Sequence, residues 1–236
     1  MRVRVLVAGG SGAVGALVVP ELAARHDVTV MDLRPPAAGV PYVRGSVTDH
    51  DDVRRAAEGH DALVYLAMGR KEGWREGDAW VDSHFAVNVT GLYVTLRACA
   101  QAGARVAVHA SSMSVFEGYA TRDYVRRPEP DAVDAYGLTK RLGEQICEAA
   151  AREHDLTVTA LRLVHPMPDE EWQAYAGDHP DLVTAAGDAA AAFVAALERR
   201  GPGFAAYTIT GDYRRSRLDW TPALHDLGWW PRARRR

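Results

Sequence analysis

The sequence predicts an α/β fold: a doubly wound parallel sheet with helices on both faces. Three observations lead there. Short apolar strand patterns alternate with helical ones along nearly the whole chain, and such alternation builds parallel sheets with right-handed crossovers. A glycine turn, Gly9 to Gly15, directly follows the first strand and opens the first helix. Farther on, a strand ends on Ser111-Ser112, and a later helix carries Tyr136 and Lys140, which at i and i+4 share one face. One domain, residues 1–236, is expected, with residues 165–236 contributing a small C-terminal lobe.

The elements follow in order. Val3, Val5 and Val7, with Leu6 and Ala8, form a buried strand. The helix after the glycine turn runs through Leu17, Val18, Leu22 and Ala23, and Pro20 is expected to bend it or loosen its first turns. Val28 to Met31 is the second strand and ends at Asp32; Tyr42 to Arg44 is a short third. Asp49 or Thr48 caps a helix through Val53 and Ala57. Asp61 to Ala67 is a strand, Gly69 to Gly77 a mobile loop with Trp74, and Ala79 to Ala102 one long helix. The strand Arg105 to Ala110 leads to Ser111-Ser112, then a loop with Tyr119, Tyr124, Pro128 and Pro130. The Tyr136 helix continues through Leu142, Ile146 and Ala150, and Leu156 to Val164 is a strand broken by His165-Pro166-Met167-Pro168. Asp169 to Asp181 reads as a loop or lid, Leu182 to Arg200 as a helix, Tyr207 to Ile209 as a last strand and Pro222 to Leu227 as a short helix. Arg232 to Arg236 reads as a frayed basic tail.

The totals exclude several classes. The 236 residues are 47% hydrophobic and 25% charged with net charge −3, an ordinary globular balance and not that of a basic nucleic-acid binder. No apolar run is long enough to span a bilayer. The first residues enter a strand pattern without a charged-then-apolar leader, and Cys99 and Cys147 read as reduced, buried thiols. A cytoplasmic protein with no nucleic-acid or membrane partner is expected. His84 and Asn88 share a helix face but lack a third ligand, so no metal is expected.

Strand, glycine turn, helix, strand and acid make a dinucleotide-binding unit. Gly9 allows the tight turn, Gly12 lets backbone approach a pyrophosphate and Gly15 lets helix pack on strand. The helix start, Ala13 and Val14 included, offers free N–H groups to phosphate. Asp32 is placed to bind an adenosine ribose, which favours NAD and makes NADP the lesser expectation; Arg34 beside it suits a 2′-phosphate. Strand ends gather on one edge of such a sheet, so Leu66, Ala67, Ser111, Ser112, Val164 and His165 line it with the glycine turn. A phenol with an ordinary pKa of about 10 is a poor base. The Lys140 ammonium and a nicotinamide's positive charge are expected to lower it, so that Tyr136 takes a hydroxyl proton as Ser112 holds the oxygen. Lys140 also reaches the nicotinamide ribose. Val164 is a cofactor contact; Ser111, Ser112, Asn88 and His165 are the candidate substrate contacts.

The chain resembles an extended short-chain dehydrogenase/reductase of the NAD-dependent epimerase/dehydratase family, a Rossmann-type fold. The resembling residues are Ala8 to Gly15, Leu66-Ala67, Asn88 to Gly91, Ser111 to Phe116, Tyr136 to Lys140 with Gly143-Glu144, and Leu161-Arg162. The resemblance implies NAD(P) binding and a Ser112, Tyr136, Lys140 catalytic set. It also implies adenine contacts at Ser46 and Val47, although Ser46 stands where relatives carry Asp. Met113 and Ser114 follow Ser112, where dehydratases carry an acidic pair, which argues against dehydration. The short C-terminal part argues against a bulky nucleotide-sugar. Asn88 to Tyr93, the helix after Asp181 and Leu227 to Trp229 resemble the compact, uronate-dehydrogenase-like members. Those members take a substrate carboxylate on a lid cation, and no Arg or Lys lies between Leu163 and Glu198. The expectation is an oxidoreductase acting on a hydroxyl, carbonyl or hemiacetal carbon of a small sugar-like substrate. An epimerase with recycled NAD and a non-catalytic NAD(P)-sensing regulator are the alternatives. A homodimer through the helices 79–102 and 134–152 is implied by the resemblance alone.

Overall fold

A computed structural model describes residues 2–121 and 129–235; Tyr124, Pro128 and Arg236 lie outside the described residues. The strands are β1 (Arg4–Ala8), β2 (Asp27–Asp32), β3 (Tyr42–Arg44), β4 (Ala62–Tyr65), β5 (Val106–Ser112), β6 (Thr157–Leu163) and β7 (Gly203–Ile209). They form one sheet in the order β3-β2-β1-β4-β5-β6-β7, and every neighbouring pair is parallel. Chain order reverses between β1 and β4, the switch point at which such sheets bind ligands.

Strand side chains alternate between faces, so the sheet divides two cores. Val5 and Val7 of β1 face one way, with α1 (Ala13–Arg25), α7 (Ala186–Glu198) and α8 (Thr221–Leu227). Leu6 and Ala8 face the other, with α2 (His50–Ala57), α4 (Leu92–Gln101) and α5 (Ala135–His154). Covering both faces is why the strands read as unbroken apolar runs. Asp49 caps α2, accepting from the N–H groups of Asp51 and Asp52. Pro20 leaves α1 unbroken from Ala13 to Arg25. Cys99 and Cys147 are free and buried, and no helix of the described residues is long and apolar enough to cross a membrane.

Three expectations change. The helix expected over Ala79 to Ala102 is α3 (Asp78–His84), a π-helical turn over Phe85–Gly91, and then α4. Widening the helix frees carbonyls, and Tyr65 Oη donates to Val87 O at 2.6 Å. The Asp169 to Asp181 stretch is not all loop: α6 (Asp169–Ala174) begins it with three acids in its first turn, which suits the positive helix start. Trp172 anchors α6, donating from Nε1 to Val183 O at 2.9 Å.

The basic tail is docked rather than frayed. Asp188 of α7 accepts from the backbone N–H groups of Arg232 and Ala233 at 3.0 Å. The Arg235 guanidinium donates to Tyr175 O and Pro180 O and lies over the Trp172 ring. Backbone pairing and an aromatic face together outweigh the charge repulsion that would fray Arg232 to Arg235.

Candidate active site

The carboxyl ends of β1, β2, β4, β5 and β6 assemble one site from elements far apart in sequence. At the first, Gly9 has φ +85°, and a Cβ there would fall 2.3 Å from Ala67 N. A Cβ on Gly15 would fall 2.1 Å from Gly10 O. Both glycines are thus required by the fold. Gly12 is different: its φ of −79° suits any residue, and a Cβ would meet only Gly9 O, at 3.4 Å. The protein itself does not demand glycine there, whereas a phosphate resting on the turn does. Gly12 caps α1 with no side-chain hydrogen bond, and the first turn of α1 carries no acid. The N–H groups of Ala13, Val14 and Gly15 therefore face an approach suited to an anion, and the residues fit a dinucleotide's pyrophosphate.

Asp32 joins β2 to this turn. It accepts from Ser11 N at 2.9 Å and Leu33 N at 2.7 Å. Arg34 lies across the same turn, its backbone O accepting from Ser11 Oγ at 2.7 Å. Leu66 N pairs with Ala8 O, at 2.8 Å, which carries Leu66 and Ala67 past Gly9. Val47 is buried and backs the π turn, since a Cβ on Gly91 would strike its Cγ2. The Ser46 hydroxyl is engaged locally, 2.8 Å from Thr48 Oγ1 and accepting from Thr48 N.

The Ser112 hydroxyl lies on the Tyr136 side of the sheet edge, where its influence is to lower the phenol's pKa. Ser112 Oγ accepts from Ser114 N at 3.1 Å, which leaves its own O–H free to donate. Asp134 caps α5 by accepting from Tyr136 N and Gly137 N, fixing the turn that aims the phenol. Lys140 is buried, donates from Nζ to Ala110 O at 2.8 Å and stands 5.9 Å from the Tyr136 ring centroid. The Tyr136 pKa is raised, not lowered as expected. Burial outweighs the lowering influence of Ser112, and Lys140 Nζ donates to the Ala110 carbonyl.

Two candidate substrate contacts point elsewhere. Asn88 is buried, accepts from Gly69 N at 3.1 Å and donates to Thr139 Oγ1 at 3.0 Å; it ties the β4–α3 loop to α5. Ser111 is buried and donates to Glu144 Oε1 at 2.7 Å. Glu144 in turn accepts from Arg162 Nε and Nη2, at 2.9 and 2.7 Å, so Ser111 belongs to a brace between β5, α5 and β6. Val164 is buried, with its carbonyl accepting from Thr184. His165 is exposed at φ +36°, its ring 5.8 Å from that of Tyr175. Among the described residues no group of three or more His, Cys, Asp or Glu gathers to hold a metal.

The chain is similar to known proteins. The model of the NAD dependent epimerase/dehydratase family matches residues 5–178. The chain belongs to that family. It is 34% identical over 174 residues to L-arabinose 1-dehydrogenase (NAD(P)(+)) of Haloferax volcanii, covering 68% of this chain and 66% of that protein. It is 30% identical over 161 residues to the uncharacterized protein y4nG of Sinorhizobium fredii, covering 66% of this chain and 39% of that one. The chain thus spans less than two thirds of these relatives' lengths. The fold is similar to a short-chain dehydrogenase/reductase superfamily protein of Agrobacterium tumefaciens with bound NAD: TM-score 0.82, 21% identity, 98% and 93% of the two chains covered. It is also similar to MoeE5 in complex with UDP-glucuronic acid and NAD: TM-score 0.80, 23% identity, 98% and 94% covered.

In this member of the epimerase/dehydratase family, the sequence places the Trp74 loop beside the cofactor but does not show that its ring walls the site. Trp74 packs 5.1 Å from the Tyr136 ring and 5.4 Å from Trp80, and buried His84 completes the cluster. Its signal was a tryptophan in a glycine-flanked loop just after a strand end.

Lys140 also makes a pH-dependent prediction. Burial lowers its pKa from 10.5 to about 8. Below pH 8 both folded and unfolded chains hold the proton, and the folded state bears the full burial cost. Between pH 8 and 10.5 the folded state releases a proton that the unfolded chain keeps, so stability rises with pH. Relative to Lys140→Met, the natural protein should gain on the order of 3 kcal/mol across that window. Urea unfolding at stepped pH measures the difference; a flat difference would mean that the buried amine is not strained.

Proposed function

We propose that the chain is an NAD-dependent oxidoreductase acting on a hydroxyl, carbonyl or hemiacetal carbon of a small sugar-like substrate. The observation that carries this is the grouping of Ser112, Tyr136 and, one helical turn on, Lys140 at the same sheet edge as the Gly12 cradle. When bound, a nicotinamide ring supplies the hydride acceptor or donor and, oxidised, a positive charge.

The chain's own residues do the rest. Ser112 holds the substrate oxygen. The Tyr136 phenol takes or returns that oxygen's proton, and the buried Lys140 ammonium helps to stabilise the phenolate. Asp32 binds the adenosine ribose and favours NAD over NADP, with Arg34 the candidate for a 2′-phosphate. Ala13, Val14 and Gly15 hold the pyrophosphate. Leu66, Ala67 and Val164 border the cofactor, Ser46 and Val47 its adenine. His165 stands at the substrate mouth in residues 165–236, the stretch that shapes the substrate side of a single 1–236 domain. A cytoplasmic setting suits two free thiols, and the resemblance to the family supports a homodimer through α3–α4 and α5.

The test is net cofactor reduction with a panel of aldoses, uronates and simple alcohols. Stoichiometric NADH is expected. Sugar interconversion without NADH would make the chain an epimerase, and cofactor binding without turnover of any panel member would make it a sensor.

A further inference from the structure

The turn between β4 and α3 has an unusual backbone. Gly73, Arg75 and Gly77 have φ of +68°, +64° and +73°. Nothing lies near a Cβ built on Gly77, so its glycine serves conformation alone. An arginine in the left-handed region costs roughly 1 kcal/mol, and such strain persists where the surroundings hold it. What this backbone achieves is to lay the Trp74 indole against Trp80, His84 and the catalytic Tyr136. The indole is still 45% exposed, so it presents open aromatic surface beside the phenol.

The turn carries three cations, Arg70, Lys71 and Arg75, and Arg75 is the one placed beside the start of α5. Its ion-pair contact among the described residues is Asp134 Oδ1 at 3.6 Å, longer than a charge-assisted hydrogen bond. That same oxygen already accepts from Tyr136 N and Gly137 N. The guanidinium fork thus stands beside the start of α5 with donors to offer, and its field reaches the phenols of Tyr119 and Tyr136. The docked Arg235 is engaged by two backbone carbonyls, and residues 165–197 carry no Lys or Arg. A planar fork of N–H donors matches carboxylate or phosphate oxygens.

We propose that the Trp74–Arg75 turn reads the substrate, the indole giving a sugar ring its stacking face beside Tyr136 and the Arg75 guanidinium selecting a sugar that carries an anionic group. This rests on the oxidoreductase reading above and names its substrate class: an acidic sugar, as carboxylate or phosphate ester.

The experiment uses the full chain saturated with NAD and three sets of probes: hexuronates, the matching neutral hexoses and the matching hexose 6-phosphates. Steady-state turnover and tryptophan fluorescence are both read. The natural protein should prefer at least one anionic set over the neutral one, and which set answers separates carboxylate from phosphate. Arg75→Gln should lower the anionic-to-neutral ratio of kcat/KM by about 10- to 100-fold, chiefly through KM, and Arg75→Lys should restore part of it. Trp74→Ala should raise KM for all sets about 10-fold and remove the fluorescence change. A preference for neutral hexoses, or an Arg75→Gln ratio equal to the natural one, overturns the inference. So does silence toward every probe by a chain that binds NADH. A chain that binds no NADH instead overturns the oxidoreductase reading itself.

Discussion

Tyr136→Phe is expected to lower kcat by about 10²- to 10⁴-fold while NADH binding persists. The substitution removes only the phenol oxygen, which Ser112 influences. The ring stays, and with it the packing 5.1 Å from Trp74, so the wall of the site survives. Ser112 keeps its contact with Ser114 N and is still held in place. Steady-state turnover paired with an NADH fluorescence titration separates the two effects. Full turnover by the phenylalanine variant would mean that another group moves the proton. Loss of both turnover and binding would mean that the substitution had disturbed the edge of the sheet.

The glycine turn gives the second large effect, and its three glycines should behave differently. Gly9→Ala and Gly15→Ala put a methyl group 2.3 and 2.1 Å from backbone atoms, which neither β4 nor the turn can vacate cheaply. Gly9 also has φ +85°. Each variant is expected to lose more than about 4 kcal/mol, the range reserved for such collisions. Gly12→Ala meets nothing closer than 3.4 Å and should unfold as the natural protein does. Its methyl group fills the cradle, so the Kd for NADH should rise by about 10-fold or more. Thermal unfolding and NADH titration of the three variants read both quantities. A destabilised Gly12→Ala, or one with undiminished affinity, would remove the ground for placing a pyrophosphate there.

Much of the frame was legible because its causes are local. The strands are buried on both faces, so their composition alone marks them, and the glycine turn sits between a strand and a helix where its spacing has meaning. Ser112, Tyr136 and Lys140 were legible as residue types on recognisable elements. What escaped depends on partners distant in the chain. Asn88 looked available until Gly69 and Thr139 were seen to claim it. Ser111 sits beside Ser112 yet turns to Glu144, 33 residues away. The tail read as frayed because Arg235 finds its acceptors 55 and 60 residues earlier. Trp74 read as loop because left-handed φ values at its neighbours, not hydropathy, decide where its ring points. The phenol's raised pKa was missed because burial and the direction of the Lys140 amine are both products of packing.

The π-helical turn over Phe85–Gly91 bears on how such a site is made. An α-helix advances 100° per residue, so one additional residue per turn rotates everything beyond it. Before the turn, His84 is set toward Tyr136 with Trp80 stacked on it; after it, Leu92, Leu96 and Cys99 are set into the core. The bulge acts as a phase joint between two halves of one rod. Without it, a residue change that re-aimed the aromatic wall would also turn the core stripe. With it, substrate preference can drift in one half while the other half goes on holding the sheet.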